Sequence, residues 1–226
     1  TVLGNLGTGG ALGKMVAAPT GLVPPDTGGS GNDMGIAVSL WFKRGSGLVV
    51  DERVMLLTNQ PTPFLSSTGL SVCLVYEPNY YNRNYPWGGP AIPGTGTGWH
   101  VEVSCSKSGY SQFFKFSAGI GISVGEWHHI CVDNRGADGG IRAYIDGAYL
   151  TTAGFSAGPA SLIQYTFRYK SPGSGANLEL GYQSGVTRIS PVQISFDDVR
   201  IFGVDGVDSY PLTGAQIQTL ASAAES

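Results

Sequence analysis

Ile36, Val38, Leu40 and Phe42 alternate with Ala37, Ser39, Trp41 and Lys43, a strand signature in which both faces can be largely buried. Similar short runs predict strands at residues 48–57, 70–76, 101–105 and 112–117, with an opening edge strand near 15–18. Ile163, Tyr165, Phe167 and Tyr169 alternate with polar partners and read as a half-exposed strand, and 178–182 and 193–202 finish the series. The fullest signal is 125–150, GEWHHICVDNRGADGGIRAYIDGAYL. It reads as three strands, with Trp127, His129 and Cys131 on one face of the first and His128, Ile130 and Val132 on the other. The Asp146-Gly147 pair supplies the positive φ angles that a two-residue hairpin turn needs. Only one good helix is expected, near the C-terminus. Thr213 stands at its N-cap, Gln216 completes a capping box, and Leu212 and Ile217 occupy the hydrophobic-staple positions. About a dozen short strands and no long helix predict an all-β fold, a two-sheet antiparallel β-sandwich with one short C-terminal helix.

The composition supports this and narrows the function classes. The chain has 226 residues, 35 of them Gly and only 13% charged, as expected of one domain with tight turns and long uncharged loops. A net charge of −3 without a basic block argues against a nucleic-acid surface. No apolar run reaches the ~18 residues that a membrane helix needs, so no membrane insertion is expected. No segment reads as a signal peptide, and a chain starting at Thr1 fits either Met removal or cleavage of an earlier segment. Cys73, Cys105 and Cys131 are too few and too scattered for a disulfide framework or a zinc site. Cys105 and Cys131 read as buried small hydrophobes, a pattern that leans toward folding in a reducing cytoplasm. Residues 1–35 hold ten glycines and no aromatic residue. They read as a Gly-rich arm, either loosely packed or ordered against a partner subunit, preceding a sandwich over 36–226.

The wording of several segments is familiar. Trp127-His128-His129-Ile130 followed by Arg142-Ala143-Tyr144-Ile145-Asp146-Gly147 resembles the laminin G-like branch of the concanavalin A-like lectin/glucanase superfamily. Phe196 to Phe202, followed by Pro211 to Ile217, looks like that family's closing strand and short helix, and Val38 to Lys43 like its early core strand. The resemblance implies a jelly-roll, concanavalin A-like sandwich and speaks for fold, not function. An opening strand with an apolar-Gly-x-Gly pattern is absent.

Catalytic chemistry finds little footing. Glucanases of this superfamily place paired carboxylates on alternate positions of one strand. None of Glu52, Glu77, Glu102, Glu126, Glu179 and Glu225 is followed two residues on by Asp or Glu. Asp51-Glu52 and Asp197-Asp198 are adjacent and point to opposite faces. Asp198 is instead placed to pair with Arg200, and Asp197 to hydrogen-bond locally. His128 and His129 face opposite ways, and His129 reads as a satisfied residue packed behind the sheet. Gly4 to Gly10 lacks the ending of a phosphate loop. Calcium candidates are Asp133, Asn134 and Asp138 in one loop, and Asp205 and Asp208 in another. Neither loop approaches six to eight oxygen ligands, so turn chemistry is the better account and no cofactor is expected.

The segment best suited to contact is 76–99, YEPNYYNRNYPWGGPAIPGTGTGW. Its candidate site residues are Tyr76, Asn79, Tyr80, Tyr81, Asn82, Arg83, Tyr85, Trp87 and Trp99. Aromatic rings stack on the apolar faces of sugars while Asn, Arg and Tyr groups meet the hydroxyls; the same mixture makes protein-contact surfaces. Two non-catalytic readings follow. One is a structural, surface-display protein of a larger assembly, such as a phage decoration or tail-associated component, assembled in the cytoplasm and displayed on the virion. It would self-associate or meet protein partners through its arm, and its lectin fold could also bind a host-surface glycan. The other is a secreted or cell-surface carbohydrate-binding module; a glycoside hydrolase ranks third. The low charge, the arm and the free cysteines favour the first.

Overall fold

A computed structural model describes residues 15–17, 35–46, 53–58, 69–77, 98–107, 110–117, 121–134, 141–150, 152–157, 178–181, 194–204 and 211–223. Twelve strands and one helix occur among them: β1 (Met15–Ala17), β2 (Gly35–Arg44), β3 (Arg53–Thr58), β4 (Gly69–Glu77), β5 (Gly98–Lys107), β6 (Tyr110–Ser117), β7 (Trp127–Asn134), β8 (Ile141–Ile145), β9 (Ala148–Tyr149), β10 (Thr152–Ala157), β11 (Leu178–Leu180), β12 (Ile194–Val204) and α1 (Gly214–Ser222). They form a seven-stranded sheet, ordered β1-β11-β3-β4-β5-β6-β10, and a five-stranded sheet, ordered β12-β2-β7-β8-β9. Every pairing is antiparallel. The all-β sandwich with a C-terminal helix is therefore the fold. Among the described residues, no helix is long and apolar enough to cross a membrane.

Period-2 alternation explains the core. Val38, Leu40 and Phe42 of β2 meet Ile130 and Val132 of β7 and Val72, Leu74, Val101 and Val103 of the facing sheet in one buried cluster. The Asp146-Gly147 turn takes φ values of 50° and 77°, as the hairpin required. Thr213 caps α1, with both halves of the capping box formed. Leu212 and Ile217 join Ala37, Cys131 and Tyr144 in a second cluster, so α1 covers part of the outer face of the five-stranded sheet.

Several boundaries differ from the expectation. β3 is described only from Arg53, and β9 has two residues. β10 had no counterpart in the periodicity, because TAGFSA is poor in β-branched and aromatic residues; its pairing with β6, through an irregularity between Thr152 and Gly154, creates it. The strand expected over 163–170 lies outside the described residues. β1 comes from within the first 35 residues and pairs with β11 of the same chain.

Candidate functional site

Of the candidate residues, Asn79, Tyr80, Tyr81, Asn82, Arg83, Tyr85 and Trp87 lie outside the described residues. Tyr76 and Trp99 are the feet of that segment, directly paired across β4 and β5. Their ring centroids are 5.4 Å apart at an interplanar angle of 59°. Trp99 is 6% exposed and sits in the main cluster, with Tyr76 packed against it. Trp99 thus anchors the connection rather than offering its ring to solvent. A tilted pair of this kind adds about 0.5–1.5 kcal/mol beyond burial.

A residue not singled out from the sequence completes the anchor. Continuing the inward positions of β2 past Phe42 reaches Arg44, which is the signal that could have found it. Its guanidinium lies 4.8 Å from the Trp99 ring centroid, linking the two sheets at the end of the sandwich. Arg44 Nε donates to the Ile122 carbonyl at 2.7 Å, and the Arg44 carbonyl accepts the Gly125 N–H at 2.9 Å. Burial lowers the Arg44 pKa. A partly desolvated cation–π contact contributes about 1–2 kcal/mol. Tyr76, Trp99, Arg44 and Ile122 are therefore one stack clamped from both sheets.

The W-H-H and I-D-G segments meet at the same end. His128 pairs with Phe42, one diagonal step from Arg44 on the inward face. One Asp146 carboxylate oxygen bonds His128 Nδ1 at 2.8 Å, and the other accepts the His129 N–H at 2.8 Å. The Asp146 N–H returns to the His129 carbonyl at 2.8 Å. Burial alone would raise the Asp146 pKa, but the His128 and His129 hydrogen bonds and their positive potential outweigh it and hold the carboxyl below its usual value. Asp146 is thus both a turn residue and the clasp joining β7 to β8.

His129 is 1% exposed on the outer face, and its Nε2 lies 2.8 Å from Ser39 Oγ. Its Nδ1 has no hydrogen-bond partner, so the ring is only half satisfied. Burial lowers its pKa to about 4, against the attraction of Asp146 and Asp198 and with the opposition of Arg200. Asp133 corrects another expectation. It lies inside β7 rather than in a turn, is fully buried, and is ion-paired with Arg142, which also donates to the Leu212 carbonyl at 2.8 Å. Burial raises its pKa to about 6 despite Arg142. No group of three His, Cys, Asp or Glu side chains suited to a metal occurs among the described residues. Asp138, Asp205 and Asp208 lie outside them.

Among the described residues, the outer face of the seven-stranded sheet carries the deeply buried carboxylate of Glu102, 1% exposed. Glu179 shares that face by register but stands three strands away, about 14 Å at ~4.8 Å per strand. Cys73 and Cys131 are buried, and burial pushes the Cys131 thiol up to about 12, removing thiolate chemistry there.

Comparison with known protein families finds no matching family model, and comparison with curated proteins finds no match. Solved structures do resemble the chain. A native heptameric SAP-like pentraxin from Limulus polyphemus is 13% identical over 88% of this chain and 79% of its own, with a TM-score of 0.47. The CBM40 of a Ruminococcus gnavus IT-sialidase, solved with α2,3-sialyllactose, is 12% identical over 85% and 84%, with a TM-score of 0.48. Domain 4 of AbnA, a GH43 extracellular arabinanase from Geobacillus stearothermophilus solved with arabinotriose, is 18% identical over 98% and 87%, with a TM-score of 0.44. With every one of these TM-scores below 0.5, the chemistry of this site has to come from its own residues.

Proposed function

We propose that the chain is a non-catalytic, lectin-like carbohydrate-binding module of the laminin G-like kind, working through the segment between Tyr76 and Trp99. The observation that carries this reading is the Tyr76–Trp99–Arg44–Ile122 clamp. It roots a run of Tyr80, Tyr81, Arg83, Tyr85 and Trp87 on a rigid sandwich end, the arrangement by which a scaffold presents a binding loop. The sequence offers no Glu followed two residues on by Asp or Glu, which supports a binding role over hydrolysis. The assembly reading, drawn from the low charge, the arm and the free cysteines, stays the alternative.

A glycan array probed with the full chain tests the reading. Binding to at least one glycan class is expected, falling about tenfold or more in Trp87→Ala and Tyr81→Ala with melting unchanged. No binding across the array, with a trimeric or larger mass in light scattering, would restore the assembly reading.

A further inference from the structure

The outer face of the five-stranded sheet is divided. At one end α1 seals Ala37, Cys131 and Tyr144 under Leu212 and Ile217. At the other end no helix lies over it among the described residues. There the register lays out a compact grid. Trp41 stands between Asp197 and His129, and Lys43 between Ser195 and Trp127. These side chains point away from the core because Leu40 and Phe42, the alternate positions of β2, are inside it. The Trp41 ring lies 5.3 Å from the buried His129 ring, which Ser39 holds at 2.8 Å. Lys43 Nζ sits 4.6 Å over the Trp127 ring. Trp41, Lys43 and Trp127 are half-buried, and Arg200 is exposed.

The border of the grid is irregular. β12 breaks its register between Asp197 and Arg200, and Asp198 adopts a φ of 45°. Asp197 accepts the Asp198 N–H at 2.8 Å, and Arg200 Nε donates to Asp198 Oδ1 at 2.7 Å. A left-handed non-glycine residue costs on the order of 1 kcal/mol, and such outliers concentrate where a side chain must be aimed. Here the bulge sets a paired carboxylate and guanidinium at the edge of the grid, with Arg200 opposite Ser39, two positions from Trp41.

We propose that this grid is a second saccharide-binding surface, separate from the 76–99 segment, with Trp41 and Trp127 as stacking platforms and Asp198 and Arg200 as hydroxyl partners. Diagonal positions on paired strands lie about 7–8 Å apart, within reach of neighbouring units of one oligosaccharide. Each ring is bordered by polar groups: Lys43, Ser195, Asp197 and Arg200. That suits a ligand with apolar ring faces and a hydroxylated rim. A protein partner would need a contiguous apolar centre, and the exposed large hydrophobics among the described residues, Val124 and Tyr149, fall outside the grid. All the grid residues sit on paired strands, so the surface is preformed.

Affinity electrophoresis of the full chain in gels containing arabinan, xylan, laminarin or heparin tests this. Retarded migration in at least one polysaccharide is expected, with affinity falling about tenfold in Trp127→Ala and several-fold in Arg200→Gln. Arg200 is exposed, so its variant reads binding even where the Trp127 variant folds poorly. Unchanged retardation in both variants, or no retardation of the full chain, overturns the proposal. A fall in light-scattering mass caused by Trp127→Ala overturns it in favour of a contact between copies of the chain. Binding lost in Trp87→Ala but intact in both grid variants assigns the saccharide to the 76–99 segment alone. The converse sustains the grid and overturns the loop.

Discussion

The outer faces of the two sheets differ in a way their sequences do not announce. On the seven-stranded sheet Thr58, Ser71, Cys73, His100 and Glu102 are all 2% exposed or less, although several are polar. Thr58 and Ser71 share a hydrogen bond of 2.7 Å. On the five-stranded sheet the face is sealed under α1 around Asp133 and Arg142, while around Trp41 and Trp127 no helix covers it among the described residues. Polar residues on a sealed face must find partners, because a buried group left unpaired costs far more than its hydrogen bond contributes. On an open face the same residue types are available to a ligand. Coverage, not polarity, separates the two halves of the five-stranded sheet's outer face.

The largest effect is expected at the sealed ion pair. Arg142→Ala leaves the fully buried Asp133 carboxylate without its cation and frees the Leu212 carbonyl. A loss of about 3 kcal/mol in urea unfolding at pH 7 is expected. A loss below ~0.5 kcal/mol would mean that α1 does not seal this half.

Protonation sharpens the contrast further. His129 has a folded pKa of about 4, below its ordinary value, so the folded state binds fewer protons than the unfolded chain between about 4 and 6.5. Its contribution weakens stability as pH falls through that window, by up to about 3 kcal/mol. Asp133 has a folded pKa of about 6, above its ordinary value, so its contribution strengthens stability as pH falls from about 6 to 4. The two oppose each other on one strand, and Asp146, with its pKa below the usual value, acts only at lower pH. His129→Gln should therefore become more stable on going from pH 7 to pH 4, and Asp133→Asn less stable, in urea titrations at the two pH values. Parallel slopes in the two variants would sink the assignment.

The smallest effect is expected on the other sheet. Ser71→Ala removes a partner from buried Thr58 and should cost about 1–2 kcal/mol in thermal unfolding. A neutral result would show that the Thr58 hydroxyl is satisfied without Ser71.

Local sequence determined those elements whose causes lie within a few residues. Alternation over Ile36–Lys43 marked β2, Asp146-Gly147 set the turn between β8 and β9, and Thr213 with Gln216 set the start of α1. The pairing of Asp198 with Arg200 and the local bond of Asp197 were legible for the same reason. Tyr76 and Trp99 read as contact residues because an aromatic run is visible in one dimension, but that Trp99 turns its ring into the core was not legible. The clamp was not, since Arg44 reaches Trp99 only when two sheets are stacked. Nor was β10, whose weakly β-prone residues become a strand because β6 presents an edge. Asp133 looked like a turn residue until Arg142, directly opposite it on β8, supplied a charge. Tertiary structure decided these because burial, ion pairing and strand partnership belong to neighbours distant along the chain, and a residue's own identity does not name its neighbours.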